Sequence, residues 1–342
     1  MASGSTVSLS GGTTMTQVVA GDIILDDDFN NARTNVNTLM GTAADVTLGT
    51  YTASSTYGWG QGGAGVNAAS AGGLVYADNA TGGFKRLQDD VQAMCAFLGV
   101  SLRTGVGTDV ADGDTITAAT WSNLMLNIKD CWDARFAPAS RSASTDASTT
   151  FTSTWYTSLA QETTWTFASE AACRAFFNGG GRLGFSASRS GGSSTTQNTN
   201  WTDTLSAMGD VLLTHDSATT TGGSGTSAGI GFYELSTSNQ QLYIKYGSGS
   251  YASNYWRMLG KVNSTTNPTV ITLRAEWSDP HTEGAGALGP DGAASTGDEG
   301  YGNDYIDGTM TLNARRYQPD ASGSGFSFAA PTDSMGSITG SL

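Results

Sequence analysis

Asp279, Glu283, Asp291, Asp298, Glu299, Asp304 and Asp307 all fall in one glycine-rich stretch, DPHTEGAGALGPDGAASTGDEGYGNDYIDG. Ca²⁺ takes about six to eight oxygen ligands, and a loop of this kind can wrap carboxylates and carbonyls around it. Asp298, Glu299, Asp304 and Asp307 are the candidate ligands. The spacing is not that of an EF-hand loop, and a solvated acidic loop is the plainer reading of the same residues. No other metal or cofactor is implied.

The two histidines carry less. His215 precedes Asp216, and His281 lies two residues from both Asp279 and Glu283. Hydrolytic chemistry needs a placed nucleophile and an orienting partner, and no H-E-x-x-H run supplies a metalloprotease site. Both read as turn or surface residues. Paired carboxylates in an aromatic cleft would suggest a glycosidase, but Asp26-Asp27-Asp28 and Asp89-Asp90 sit at or within helical patterns and read as caps or a solvated face. Gly58 to Gly63 lacks the lysine and the strand context of a phosphate loop. Tyr243, Tyr246, Tyr251, Tyr255 and Trp256 could stack sugars, although sandwich cores use the same residue types. No catalytic residue is expected.

The elements that would position these groups change character midway. Gly21-Asp22-Ile23-Ile24, followed by Phe29, Asn31, Asn35, Val36 and Leu39, repeats at a constant offset as Gly113-Asp114-Thr115-Ile116 with Trp121, Asn123, Asn127, Ile128 and Cys131. A looser third copy runs Phe84, Leu87, Val91, Met94, Cys95. In each, an aromatic precedes apolar residues on one helical face. Asp27, Asp28, Thr81 and Thr120 are the expected caps or dipole partners. Residues 17–137 therefore read as a small helical domain behind a flexible arm, residues 1–16.

Residues 138–150, PASRSASTDASTT, read as a polar linker. Beyond them the period falls to two. Strands are expected at Thr163–Phe167, Arg182–Ser188, Val211–Leu213, Gly229–Leu235, Gln241–Tyr246, Tyr255–Val262, Thr269–Trp277 and Gly308–Ala314. Between the first two, Ser169 caps a short helix that Asn178 and Gly179–Gly181 stop. The expected fold class is α+β: a helical N-terminal domain, then an antiparallel β-sandwich over residues 151–317 with that one short helix packed across its end. Residues 318–342 read as an extended C-terminal arm whose Phe326 and Phe328 dock on a neighbour.

Composition narrows the class. The 342 residues include 46 glycines, only 13% are charged, and eight Trp, 12 Tyr and 12 Phe supply packing anchors. Ordinary globular domains are about 25% charged. A net charge of −14 repels nucleic acid and anionic membrane, so neither is an expected partner. The basic residues are mostly arginine, which suits interfaces better than lysine. Arg174, Arg182, Arg189, Arg257 and Arg274 are expected in interfacial ion pairs. Cys95, Cys131 and Cys173 form no metal or disulfide pattern and read as small buried hydrophobes in a protein made in a reducing cytosol. MASGSTVSLSGGTTMT has neither the basic nor the apolar region of a signal peptide, and no run approaches the ~18 apolar residues of a membrane span.

WTFASEAACRAFFNGGGRLGFSASRSGG, followed by NTNW (198–201) and LSAMG (205–209), resembles virion structural proteins of tailed bacteriophages, of the marine and cyanobacterial myophage type. The N-terminal part is similar too, in its Phe29-Asn30-Asn31-Ala32-Arg33 helix, the Gly113 to Trp121 helix start and the turn Tyr57-Gly58-Trp59-Gly60-Gln61, which carries one extra residue. The likeness covers most of residues 17–315. It implies a place on a virion assembled in the host cytoplasm, as a tail, neck or fibre component, and it brings no catalytic residue. Its partners would be other virion proteins and further copies of itself, with a trimer the expectation for a fibre. Phe29, Phe84, Trp121, Arg174, Arg182, Phe326 and Phe328 are the expected contact residues. A host-surface polysaccharide adhesin and a capsid decoration protein are the alternatives; a depolymerase acting on that polysaccharide is a third.

Overall fold

The computed structural model describes residues 4–41, 58–62, 66–71, 83–111, 114–280 and 305–341. The chain divides into two compact units that interleave in sequence. One takes Met1–Ser142, Ser169–Gly181 and Gln318–Ala330; the other takes Ala143–Ala168, Arg182–Tyr317 and Pro331–Leu342.

The helical unit opens with a two-stranded hairpin, β1 (Thr6–Val7) and β2 (Met15–Thr16). Val7, Leu9 and Met15 are buried in the helical core, so this segment is not the free arm its small polar residues suggested. Three helices follow, α1 (Asp26–Met40), α2 (Phe84–Leu98) and α3 (Ala118–Asp133), as the repeat predicts. The caps differ in detail. Thr117 caps α3, its side chain accepting from Thr120 N–H at 3.1 Å, whereas the Asp28 carboxylate accepts from Leu25 N–H at 3.1 Å at the start of α1. Thr81 lies outside the described residues.

The repeat also holds in hydrogen bonding. Asp22 accepts from Val19 N–H and Asp114 from Ala111 N–H, each closing the same tight turn. Asn35 donates to Thr13 O and accepts from Thr13 N–H, both at 2.8 Å. Asn127, its counterpart on α3, donates to Ser101 O and accepts from Arg103 N–H, both at 3.0 Å. Both amides are buried, and each satisfies a donor and an acceptor of a loop that has no ladder of its own. Indoles add further pins: Trp121 to Thr16 O, Trp132 to Ser10 O and Trp59 to Arg135 O.

α4 (Glu170–Asn178) is capped by Ser169 as expected, but it belongs to the helical unit and not to the sandwich end. Asn178 is fully buried and donates to Gly58 O at 2.7 Å. Gly180 has φ +84°, and a Cβ there would lie 2.4 Å from Phe136 O. The Asn-Gly-Gly-Gly run is thus a docking surface as well as a helix stop. Phe326 and Phe328 likewise pack within this unit, on Phe97 at 5.5 and 5.2 Å. The aromatics expected to reach a neighbour are occupied in cis.

The sheet unit holds two antiparallel sheets. β3 (Arg141–Phe151), β4 (Ser158–Thr166), β5 (Arg182–Ser190), β6 (Asp210–Leu213), β7 (Ala218–Thr220), β8 (Thr226–Ser227), β9 (Gln240–Tyr246), β10 (Tyr255–Val262), β11 (Val270–Ser278), β12 (Thr309–Pro319), β13 (Thr332–Met335) and β14 (Thr339–Ser341) supply them. One sheet runs β3-β12-β5-β6-β7; the other runs β13-β4-β11-β10-β9-β8, with β14 also on β4. Trp165 on β4 meets Phe185 on β5 at 5.9 Å, where the two inner faces interdigitate. The fold class is α+β with a sheet-rich body, as expected.

In the sheet unit, four features depart from the sequence reading. Residues 141–151 form strand β3 and not a linker, because Ser144, Thr145 and Asp146 bond to Arg315 and Arg316 of β12. Residues 332–335 and 339–341 form strands on β4 and are no free arm. Gly229–Leu235 holds a single 3₁₀ turn at Phe232–Glu234 in place of a strand. The helix packed on the sandwich is α5 (Thr196–Met208), which lies on β5 and β9 with Trp201 against Trp155 at 5.4 Å.

The amide clamps yield a graded expectation. Asn35→Ala and Asn127→Ala each strand a loop N–H and a carbonyl and cost about 1–3 kcal/mol. Asn123→Ala removes one exposed bond to Thr104 O and costs under about 1 kcal/mol. Urea unfolding followed by circular dichroism measures the difference.

Candidate functional site

The expected contact residues fall mostly inside the fold. Phe29, Phe84 and Trp121 are at most 2% exposed in the helical core, where the aromatic of each repeat copy fills the space between helices. They are therefore core residues and not contact residues. Arg174 is buried and pairs with Glu170 one turn earlier on α4. Arg257 and Arg274 share Glu276, at 2.7 and 2.6 Å; Arg257 and Glu276 face each other across β10 and β11. Arg189 pairs with Asp307. Four of the five named arginines thus form ion pairs within the chain. Arg182 is half-buried on β5, and burial lowers its pKa.

Asp298, Glu299 and Asp304 lie outside the described residues, as does His281. Asp307 is well defined. Its carboxylate accepts from Ser193 N–H at 2.9 and 3.0 Å, Ser193 Oγ at 3.0 Å, Asn198 Nδ2 at 2.5 Å and Arg189 Nη2 at 3.1 Å. Its carbonyl accepts from Arg189 Nε at 2.8 Å. Both oxygens accept from donors beside a guanidinium, so the carboxylate ties Ser193, Asn198 and Arg189 together. In the described structure Asp307 is a structural carboxylate. Among the described residues, no three His, Cys, Asp or Glu side chains gather as a metal site.

The same physics recurs at Asp146. Arg316 Nε donates to both its oxygens at 3.1 and 2.9 Å, Ser144 Oγ donates at 2.7 Å and Trp165 Nε1 at 3.2 Å. Burial alone would raise the pKa of either carboxylate. At Asp146 the Arg316, Ser144 and Trp165 bonds outweigh it, and at Asp307 the Ser193 and Asn198 bonds with the Arg189 charge do so; both pKa values are lowered.

His215 sits in a turn. Its Nε2 is 3.5 Å from Asp216 Oδ2, while Asp216 Oδ1 accepts from Thr214 Oγ1 at 2.9 Å and Ser217 Oγ at 3.2 Å, tightening the turn itself. The sequence does hold one G-x-S-x-G run, Gly225–Gly229, contrary to the expectation that no such nucleophile elbow occurs, and its Ser227 lies on β8 in an antiparallel pair with β9. A nucleophile elbow needs a strand-to-helix turn instead.

Two outward features were not singled out in the sequence. β3 is an edge strand, and its outer side meets no other strand among the described residues. Eleven residues long, it exposes Ser142, Ala143, Thr145, Ser148 and Thr150. No lysine or proline guards it, although isolated edges are usually guarded in this way. In the helical unit, Val18, Val19, Ile24, Thr115, Ile116 and Ala118 line an apolar groove of about 440 Å³, with Ile23 beside it 77% exposed. Both copies of the repeated Gly-Asp-x-Ile turn contribute to this groove. A third patch lies on the sheet unit, where Tyr246 is half exposed and stands edge-on to Tyr255 at 5.9 Å, with Arg257 over the Tyr255 ring. Trp256, by contrast, is fully buried and cannot stack a sugar. Among the described residues, no helix is long and apolar enough to cross a membrane.

The lowered carboxylates give a pH dependence with a definite sign. A depressed folded-state pKa contributes stability above the ordinary carboxylate value of about 4, and this is lost as pH falls through the folded value. Asp146→Asn is expected to lose about 2–4 kcal/mol at neutral pH and to show a flatter acid limb. Urea unfolding from pH 7 to pH 3 checks both.

In comparisons with known proteins, the chain matches no family model, no curated protein and no solved structure.

Proposed function

We propose that this chain is a structural component of a tailed-phage virion, part of the tail, neck or a fibre, and that it acts through protein–protein contacts. The observation that carries the reading is the open β3 edge. β3, mostly Ser, Thr and Ala and without lysine or proline, presents a row of main-chain donors and acceptors that pairs with no strand on its outer side among the described residues, and main-chain pairing is how one chain adds to another's sheet. The charges fit this use. Asp146, the central acid of β3, points inward to Arg316 and Trp165 and leaves the outer edge neutral. The resemblance read in the sequence of residues 165–209 is the ground for placing these contacts on a phage virion.

The occupant of the edge is a second copy of the chain. A two-fold pair brings β3 against β3, whereas a three-fold ring brings β3 against a different edge of the next copy, such as β8. Sedimentation of the purified chain at micromolar concentration is expected to give a closed oligomer. Ser148→Lys with Thr150→Lys, which places like charges on the exposed edge, is expected to give a folded monomer. A monomeric wild type, or an oligomer indifferent to both lysines, overturns the edge assignment. Mass spectrometry of intact particles tests the virion reading separately: a stoichiometric copy number supports it, and absence from particles removes it.

The exposed Tyr246–Tyr255 pair favours one second reading, a host-surface polysaccharide adhesin. It predicts that Tyr246→Ala weakens binding to bacterial envelope polysaccharide about tenfold, near 1.4 kcal/mol. Equal binding by both proteins on a glycan array removes that reading.

A further inference from the structure

The sequence treats the three cysteines alike, but the fold does not. Cys95 on α2 and Cys131 on α3 bring their sulfurs to 3.5 Å, although they are 36 residues apart in the chain. Both side chains are at most 1% exposed. Cys173 lies on α4 and is also buried.

The register that brings the two sulfurs together is fixed on both sides. At the end of α2, the Cys95 carbonyl accepts from Gly99 N–H, which closes the helix with φ +68°, and from Val100 N–H at 2.9 Å. The chain then runs to Ser101 and Arg103, where Asn127 grips both main chains from α3. Asn127 is one helical turn before Cys131, and Arg103 also pairs with Asp130 at 2.8 Å. Rotation of either helix would break these bonds, so the two thiols are held face to face by contacts outside themselves.

We propose that Cys95 and Cys131 form a site of reversible covalent modification: a dithiol in a reducing medium, and an internal α2–α3 disulfide once a small-molecule disulfide is the prevailing redox partner. The thiolate of one cysteine attacks a sulfur of the small disulfide, whose S–S bond breaks to release one small thiolate. The second cysteine, deprotonated, attacks the protein-side sulfur of the mixed disulfide. The Cys95–Cys131 bond forms and the second small thiolate leaves. The two leaving thiolates take up the two protons, so two protein thiols are oxidised and one small disulfide is reduced. The hydrogen bond to Cys95, reinforced by burial, holds the Cys131 thiol protonated well above the ordinary range. Exchange on the folded chain is therefore slow and proceeds through opening of the helical unit. This assignment is independent of the virion reading.

The test uses the full chain, refolded from denaturant in mixtures of reduced and oxidised glutathione, quenched by alkylation and mapped by peptide mass spectrometry. The expected product has lost about 2 Da, the two hydrogens of one disulfide, links the Cys95 and Cys131 peptides, and leaves Cys173 free to alkylate. Cys173→Ser behaves the same way, and Cys95→Ser forms no internal bridge. The oxidised chain melts about 5–10 °C above the reduced one, because the bridge restricts the unfolded chain. If refolding fails, native chain held for days with oxidised glutathione in mildly alkaline buffer is mapped by the same criteria. Bridges distributed among all three cysteine pairs, no bridge in a fully oxidising mixture, or an oxidised form that melts lower would each overturn the proposal.

Discussion

Buried main chain has to find hydrogen-bond partners, and in a glycine-rich chain with long connections this requirement governs the architecture. The sheet unit meets it with ladders. The helical unit cannot, because its loops run beside helices whose own backbone groups are already used. Side chains meet the need instead. Asn35, Asn127 and Asn178 reach from helices to loop backbone, and Gln88 and Gln92 of α2 do so toward Gly105, Val106 and Thr108. Trp59, Trp121 and Trp132 combine a large apolar body with one donor each, which suits positions where core and loop meet. The repeat is accordingly a repeat of clamps as well as of helices.

Charge is used with the same economy. A chain with 16 basic residues and a net charge of −14 has few cations to place, and most are paired inside their own unit. With the cations used in this way, the excess carboxylates set the sign of the surface, beside neutral Ser and Thr edges and small apolar patches.

Much of this was legible in the sequence, and the failures share a cause. The helices α1 to α3 and most long strands announce themselves because apolar periodicity is local. β3 does not: an edge strand of Ser, Thr and Ala has the composition of a linker, and only its pairing with β12 makes it a strand. α5 is hidden for a similar reason, since Thr and Asn are weak helix formers and tertiary contact through Trp201 overrides them. Phe29, Phe84 and Trp121 look like contact residues in the sequence because an apolar helix face has the same pattern whether it meets its own chain or another. Asp307 could have been flagged only by knowing that Arg189, Ser193 and Asn198, more than a hundred residues earlier, converge on it. The membership of α4 in the helical unit was equally invisible, although the tight Asn-Gly-Gly-Gly signal that permits its docking was plain.

The interleaving of the two units bears on biosynthesis. Residues 318–330 complete the helical unit and residues 332–341 cover one edge of β4. During translation, therefore, neither unit has its full set of partners until residues 318–341 have been made. A nascent chain stalled in β12 would carry a helical unit lacking Phe326 and Phe328 and a bare β4 edge. Unpaired strand edges and uncovered apolar surface of this kind are what make incomplete chains prone to aggregate.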